Sequence, residues 1–406
     1  MKEAMQVWDI FCRVVDNYGD AGVTWRLARQ LAAEHGVAPR LWIDEPAALA
    51  RMCPGLDTAL PVQTLEKVEL RHWTAGAATA ADAIAAVVIE AFACELPPAY
   101  VRGMAERAAH GAQAPVWINL EYLSAEDWVE GTHKLASPQA RAGDDPEPLP
   151  QVLNKHFFFP GFTPATGGLL RERGLMQVRA KVQADAAAEA VLWRALGVPP
   201  REEAPAGELR VSLFAYENPV LPALLAAWAA GVTPLRCLVP EGRALPQVAA
   251  FFGAVDAQAG AQWSRGQLTA HVLPFTDQPG YDRLLWACDL NFVRGEDSFV
   301  RAQWAARPFI WQIYPQAEAA HHAKLTAFWQ RYRGALPEAG ERAMYRVWRG
   351  WNGIAVADWP DAWAALIAQR TVLEVHADDW AVRAATQTDL AAQLVEFAAK
   401  VPGFAV

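Results

Sequence analysis

Cationic charge is in short supply in this chain. Its 36 Lys and Arg face 45 Asp and Glu, for a net charge of −9. That argues against a general nucleic-acid or acidic-membrane binder, which would present a basic face, while leaving room for a local basic pocket for a phosphorylated ligand. Cysteine is scarce too. Cys12, Cys53, Cys94, Cys237 and Cys288 contain no C-x-x-C pair, and most sit in apolar strand-like runs, so they read as buried reduced thiols. No run of about 18 apolar residues occurs, as a membrane helix would need, and the opening MKEAMQVWDI has no signal-peptide core. The expectation is a cytoplasmic protein with no membrane partner and no direct nucleic-acid partner. The G-x-G-x-x-G fingerprint, the Walker loop, the G-x-S-x-G elbow and H-E-x-x-H are all missing, which leaves a nicotinamide or flavin oxidoreductase a distant reading. His321-His322 lies in a helical run without metal-ligand spacing and reads as a surface or interface pair rather than a metal site, and the other histidines are scattered.

What is present is a long, well-filled α/β pattern. At 406 residues the chain exceeds one ordinary core, and 53% hydrophobic against 20% charged residues marks a folded protein. Its 18 tryptophans promise large cores. VWDIFCRVV (7–15), PRLWID (39–44), KVELRHW (67–73), AAVVIEAF (85–92) and APVWINLEYL (114–123) read as strands, with a first helix from near Val23 that Gly36 can end. LASPQARAGDDPEPLPQ (135–151) reads as an exposed loop and 171–195 as helix. A second series of strands follows in LRVSLFAY, TPLRCLVP, LTAHVLPF, CDLNFVRG and RPFIWQIYP, and the tail from about 359 is helical. Two doubly wound domains in tandem place ligands beyond the carboxyl ends of their strands.

Three motifs fall at such ends. The first is DNYGDAG, where Asp16 and Asp20 occupy a strand-to-helix loop of the kind that usually cradles phosphate. Local chemistry leaves two readings: Asp20 caps the helix and Asp16 ends the strand, or the pair holds a cation or removes a proton. The second is FVRGEDSFVRAQWA, where a helix starting near Ser298, capped by Ser298 or Asp297 and flanked by Arg294, suits a diphosphate. Glu296 and Asp297 fit an anion site only if they point to a sugar hydroxyl. The third joins LFAYENP to LPFTDQPGYDRLL: Phe214, Tyr216 and Phe275 could sandwich a base, with Gln278 bonding its edge, although an aromatic at such a position, taken singly, is more often core.

Together with PFIWQIYPQ and WDIFCRVVDNYGDAGVTWRLARQL, these stretches resemble the EarP family, protein-arginine rhamnosyltransferases that modify elongation factor P. The likeness runs over nearly the whole chain, with least correspondence at 135–151 and 197–208. It implies a GT-B glycosyltransferase: two Rossmann-like domains facing a central cleft, 1–178 gripping the acceptor and 179–383 the nucleotide-sugar, with a last helix from about 384 to 406 packing back on the first. The implied donor is dTDP-β-L-rhamnose and the implied acceptor one arginine of elongation factor P. The anomeric centre inverts and no metal or other cofactor takes part. Asp20 matches the general base and Asp16 the second carboxylate. Asn17, Phe214, Tyr216, Phe275, Gln278, Arg294, Glu296, Asp297 and Ser298 fall in the donor-binding set, and Glu296 is also counted as catalytic. Another GT-B transferase with a different acceptor, or a non-catalytic dTDP-sugar-binding protein, remains the alternative.

Overall fold

Strand β1 (Val7–Cys12) is apolar on both faces except for Asp9, the pattern of a central parallel strand. Asp9 is fully buried, and its carboxylate accepts from Arg40 Nε at 2.6 Å, from Trp42 Nε1 at 2.9 Å and from the Tyr100 hydroxyl. A buried carboxylate so surrounded ties β1 to its neighbours and would be costly to leave unpaired.

In the computed structural model, which describes residues 5–16, 18–74, 84–255, 257–315 and 321–401, the chain forms two units. The first comprises Met1–Arg173 and Ala385–Val406, the second Gly174–Ala384. Strands β2 (Ala38–Ile43), β3 (Val62–Leu65), β4 (Val68–His72), β5 (Val87–Ala91), β6 (Val116–Leu120), β7 (Ala136–Arg141) and β8 (Pro148–Phe158) complete the first sheet. Its order is β3-β4-β2-β1-β5-β6-β8-β7, parallel except for β3 and β7, which run antiparallel to β4 and β8 at the two edges. Helices α1 (Tyr18–Glu34), α2 (Pro46–Ala50), α3 (Pro98–Ala109) and α4 (Trp128–Thr132) connect these strands.

The second unit opens with α5 (Leu175–Gln183) and α6 (Ala186–Ala195) and continues as β9 (Leu209–Leu213), α7 (Leu221–Ala230), β10 (Leu235–Val239), α8 (Leu245–Phe252), β11 (Gln262–Arg265), β12 (Leu268–Val272), α9 (Gln278–Ala287), β13 (Leu290–Arg294), α10 (Asp297–Trp304) and β14 (Phe309–Gln312). The sheet order is β11-β12-β10-β9-β13-β14, with only β11 antiparallel. Four helices follow: α11 (His321–Arg333), α12 (Glu338–Trp351), α13 (Trp359–Ala368) and α14 (Arg370–Ala385). The last helix, α15 (Leu390–Lys400), belongs to the first unit. These are the two Rossmann-like α/β units expected. The tryptophans fill cores: Trp8, Trp25, Trp193, Trp228, Trp304, Trp329, Trp348 and Trp351 are all fully buried. All five cysteines are buried and free, and burial pushes the Cys53 and Cys94 thiols up to about 11 and about 12, where they are inert.

Three local expectations need correction. The first helix starts at Tyr18, five residues before Val23, so the glycines of DNYGDAG lie inside its first turns. The stretch 135–151 is mostly a hairpin of β7 and β8. Its polar, Pro-containing sequence suits an edge strand, where Pro138 needs no ladder donor, while Leu149 and Leu153 point inward. The stretch 171–195 is two helices, broken where Asp185 accepts from Ala188 N at 3.0 Å and caps α6.

The path into and out of the second unit is tied down within the first. Arg171 donates to the carbonyls of Ala385 and Gln387, and Leu390 N to Leu169 O at 3.0 Å. Gln30 of α1 donates to Arg171 O at 2.9 Å and to Asp389 at 3.0 Å. Gly168 lies so close to Thr388 that a Cβ there would stand 2.3 Å from the Thr388 carbonyl oxygen.

Candidate active site

In the first unit the chain turns from β1 to β2 on one side and from β5 to β6 on the other. The gap between β1 and β5 is therefore the switch point, where open α/β sheets bind ligands at the carboxyl ends of their strands. Asp16 and Asp20 follow β1 there. Asp20 is 2% exposed, and its carboxylate is held rather than free to swing. Oδ2 accepts from the amides of Val15 and Asp16, both at 2.9 Å, and Oδ1 from the Tyr122 hydroxyl at 3.2 Å. Asp20 is thus no N-cap in the ordinary sense: it sits inside the first turn and reaches back to close the loop that precedes it. The half-buried Asp16 lies against Gly19, where an added Cβ would stand 2.8 Å from its Oδ2. Gly19 is there because a side chain would displace that carboxylate. The structure so brings Asp16 and Asp20 together, backbone to carboxylate. Asn17 falls outside the described residues.

The second unit has its switch point between β9 and β13. Phe214 and Tyr216 follow β9, and Arg294 ends β13. The Arg294 guanidinium lies 4.6 Å from the Phe214 ring centre and 4.4 Å from that of Tyr216. Arg294 is buried, so it is a positive charge held against aromatic faces with little water to screen it. Gly295, at φ +61, makes the turn, and Trp311 Nε1 donates to its carbonyl at 2.8 Å. Ser298 Oγ donates to the Arg294 carbonyl and accepts from the Arg294 amide at 3.1 Å. Neither Ser298 nor Asp297 caps α10, then: Glu296 holds the N-cap position without a side-chain bond, and the Ser298 hydroxyl is engaged in closing the turn. Gln278, buried at the start of α9, donates to Asp297 Oδ2 at 3.4 Å. Phe275 is half-buried in the loop after β12, and Glu296 and Asp297 are half-buried at the mouth of α10.

Several residues of these two sites were not singled out from sequence. Tyr122, just after β6, holds Asp20 and stacks on Phe92 with ring centres 4.4 Å apart. Tyr281 packs edge-on against Phe214 at 5.5 Å, and burial pushes its phenol far above the ordinary range. Gln312 accepts from the Tyr216 amide at 2.9 Å, and Arg243 lies 5.9 Å from the Tyr216 ring. The available signal was position: each of Tyr122, Arg243 and Gln312 stands at or just beyond the carboxyl end of a parallel strand.

Among the described residues no cluster of three or more His, Cys, Asp or Glu could hold a metal ion, and no described helix is long and apolar enough to cross a membrane. Residues 8–399 match the family described as Elongation-Factor P (EF-P) rhamnosyltransferase EarP. A protein-arginine rhamnosyltransferase of Pseudomonas putida is 50% identical over 390 residues, spanning 96% of this chain and 98% of its own. That of Pseudomonas aeruginosa is 49% identical over 393 residues, spanning 97% and 99%. A solved structure concerning EarP-mediated arginine glycosylation of translation elongation factor EF-P superposes with a TM-score of 0.65 at 36% identity, covering 97% of this chain and 98% of that one. The chain belongs to the EarP family of elongation factor P rhamnosyltransferases and is an enzyme of the protein-arginine rhamnosyltransferase class.

Proposed function

We propose that this glycosyltransferase moves L-rhamnose from dTDP-β-L-rhamnose to one arginine side chain of elongation factor P, with inversion and with Asp20 as general base. The observation that carries the reading is the held carboxylate of Asp20 at the first switch point, beside Asp16. An arginine stays protonated at neutral pH and its lone pairs are delocalised, so it is a poor nucleophile. Two carboxylates answer both difficulties: they orient the guanidinium through charge-assisted hydrogen bonds, and one accepts a proton as the bond forms. Oδ1 of Asp20 meets one described donor where Oδ2 meets two, which makes Oδ1 the oxygen better suited to the proton.

On the donor side, the C1–O bond to the diphosphate breaks as the C1–N bond forms, and dTDP leaves with the electron pair. Arg294, the N-terminal amides of α10 and the turn closed by Ser298 offer positive potential for that charge, so the reading routes no step through a metal. Phe214, Tyr216, Phe275 and Gln278 form the nucleotide side of the proposal. Glu296 and Asp297 are assigned to sugar hydroxyls, and Glu296 is also assigned the part of favouring the oxocarbenium character of the reacting carbon.

Asp20→Asn is expected to keep dTDP affinity and to lose turnover by about a hundredfold or more. Calorimetry with dTDP and a mass spectrum of elongation factor P incubated with dTDP-β-L-rhamnose check both halves. A deoxyhexose gained on one arginine is the expected product. Unmodified elongation factor P would overturn the acceptor, and wild-type turnover in Asp20→Asn the base.

A further inference from the structure

The turn after β5 has an unusual backbone. Phe92, Ala93 and Glu95 have φ of +58, +52 and +57, the left-handed region that side chains other than glycine rarely adopt. Three such residues within four positions store strain, and they persist only because their surroundings over-determine them. Phe92 N donates to Leu120 O at 2.7 Å, Ala93 N to Asn119 Oδ1 at 3.1 Å and Glu95 N to Glu90 Oε1 at 3.1 Å. Glu90 and Asn119, each 1% exposed, are buried polar residues whose bonds serve this turn. Glu90 is itself anchored by Trp117 Nε1 at 3.0 Å and faces Lys155 Nζ at 3.5 Å.

The effect of the turn is to present the Phe92 ring flat to Tyr122, 4.4 Å away with an interplanar angle of 14°. Tyr122 in turn gives its hydroxyl to Asp20 Oδ1. Tyr122 is 37% exposed, which is too little buried for the stack to be explained by core filling. β1, β5 and β6 are adjacent, so the three residues following them converge on one switch point.

We propose that Phe92 and Tyr122 are positioning residues for the Asp20 carboxylate: the strained turn fixes Phe92, Phe92 fixes the Tyr122 ring, and the Tyr122 hydroxyl, acting on Oδ1 while the Val15 and Asp16 amides hold Oδ2, completes the setting of the carboxylate plane so that an Oδ1 lone pair faces the acceptor guanidinium. This rests on reading Asp20 as the base. A carboxylate free to rotate about its last bond would meet the incoming N–H group in only some orientations, and small misplacements of a reacting group cost large factors in rate.

The test is steady-state kinetics of the full chain with dTDP-β-L-rhamnose and elongation factor P, alongside dTDP calorimetry and thermal melting. Tyr122→Phe keeps the stack and removes the hydroxyl. It is expected to lower kcat about tenfold, the worth of one hydrogen bond to a charged group, with the donor KM, dTDP affinity and melting temperature held. Phe92→Leu is expected to lower kcat in the same way, and Phe92→Tyr, which restores a flat ring, to lie nearer wild type. Wild-type kcat in Tyr122→Phe, while Asp20→Asn is inactive, overturns the positioning role and leaves the base in place. A fall in Tyr122→Phe that tracks melting temperature or dTDP affinity also overturns it, since that is what a merely structural role produces. Wild-type kcat in Asp20→Asn overturns the underlying reading instead.

Discussion

Single residues carry most of what is specific here, and several work by being held rather than by being reactive. His133 is an instance outside the site. Its Nδ1 accepts from the Phe159 amide at 3.0 Å, its ring packs edge-on against Phe158 at 4.5 Å, and burial, with Lys134 adding to it, lowers its pKa from 6.5 to about 4. A proton on Nδ1 would break the bond to Phe159, so the folded chain keeps the ring neutral while the unfolded chain takes up a proton below 6.5. The unfolded state binds more protons between those values, so stability is full above pH 6.5 and falls as pH drops towards 4. The fall is expected to be on the order of 1 kcal/mol, reduced from the full shift because part of the ring is exposed and screened. Urea midpoints measured across that window should slope in the native chain and flatten in His133→Gln, whose side-chain oxygen can still accept from Phe159.

Elements reveal why some of the structure could be read in advance and some could not. Central strands such as β5 and β13 announce themselves by largely apolar runs, buried from end to end, in which Glu90, Asn291 and Arg294 are the exceptions, because a parallel strand is covered on both faces. The start of α1 was hidden by Gly19 and Gly22, residues that usually mark loops. Gly19 has a local reason to stand inside this helix, since a side chain there would have to push the Asp16 carboxylate aside. The hairpin of β7 and β8 was hidden by an edge strand's tolerance for proline and charge. Of the site, DNYGDAG and RGEDS were legible as strand-end motifs. The strained turn at Phe92 was not, since nothing in EAFACE asks for a left-handed backbone and the residues that enforce it, Glu90 and Asn119, lie on two different strands. The Ser298 hydroxyl is another such case, because its partner is the backbone of Arg294 four residues earlier. Ser298→Ala should loosen the turn between β13 and α10 and, with it, the placement of the Arg294 guanidinium over Phe214 and Tyr216. The expected cost is about 1–2 kcal/mol of stability and roughly tenfold weaker dTDP binding, read by melting and calorimetry. Unchanged affinity would remove this turn from the donor site.

At the scale of the whole molecule, the first unit is assembled from both ends of the chain and the second from one continuous stretch. Leu390, Leu394 and Ala398 of α15 are buried, and Phe397 packs against His156 at 5.1 Å. Leu394→Asp, which drives a charge into that seam, should destabilise the first unit by more than about 3 kcal/mol and abolish turnover. Binding of dTDP should survive, because Phe214, Tyr216 and Arg294 belong to the continuous unit. Calorimetry of the variant beside its rhamnosylation rate tests that separation, and loss of both together would show that the two units do not stand independently.

The discontinuous first unit also bears on how the protein is made. A ribosome delivers the chain from the amino end at about 5–20 residues per second, and domains fold as they emerge. Residues 174–384 can complete their sheet while the tail is still being synthesised. The helix bearing Asp20 cannot gain its Asp389 partner through Gln30 until the residues beyond 384 have been made. An abortive product stopped before residue 385 would therefore hold a finished second unit and an unfinished first one, and under the proposed function it would sequester donor without spending it.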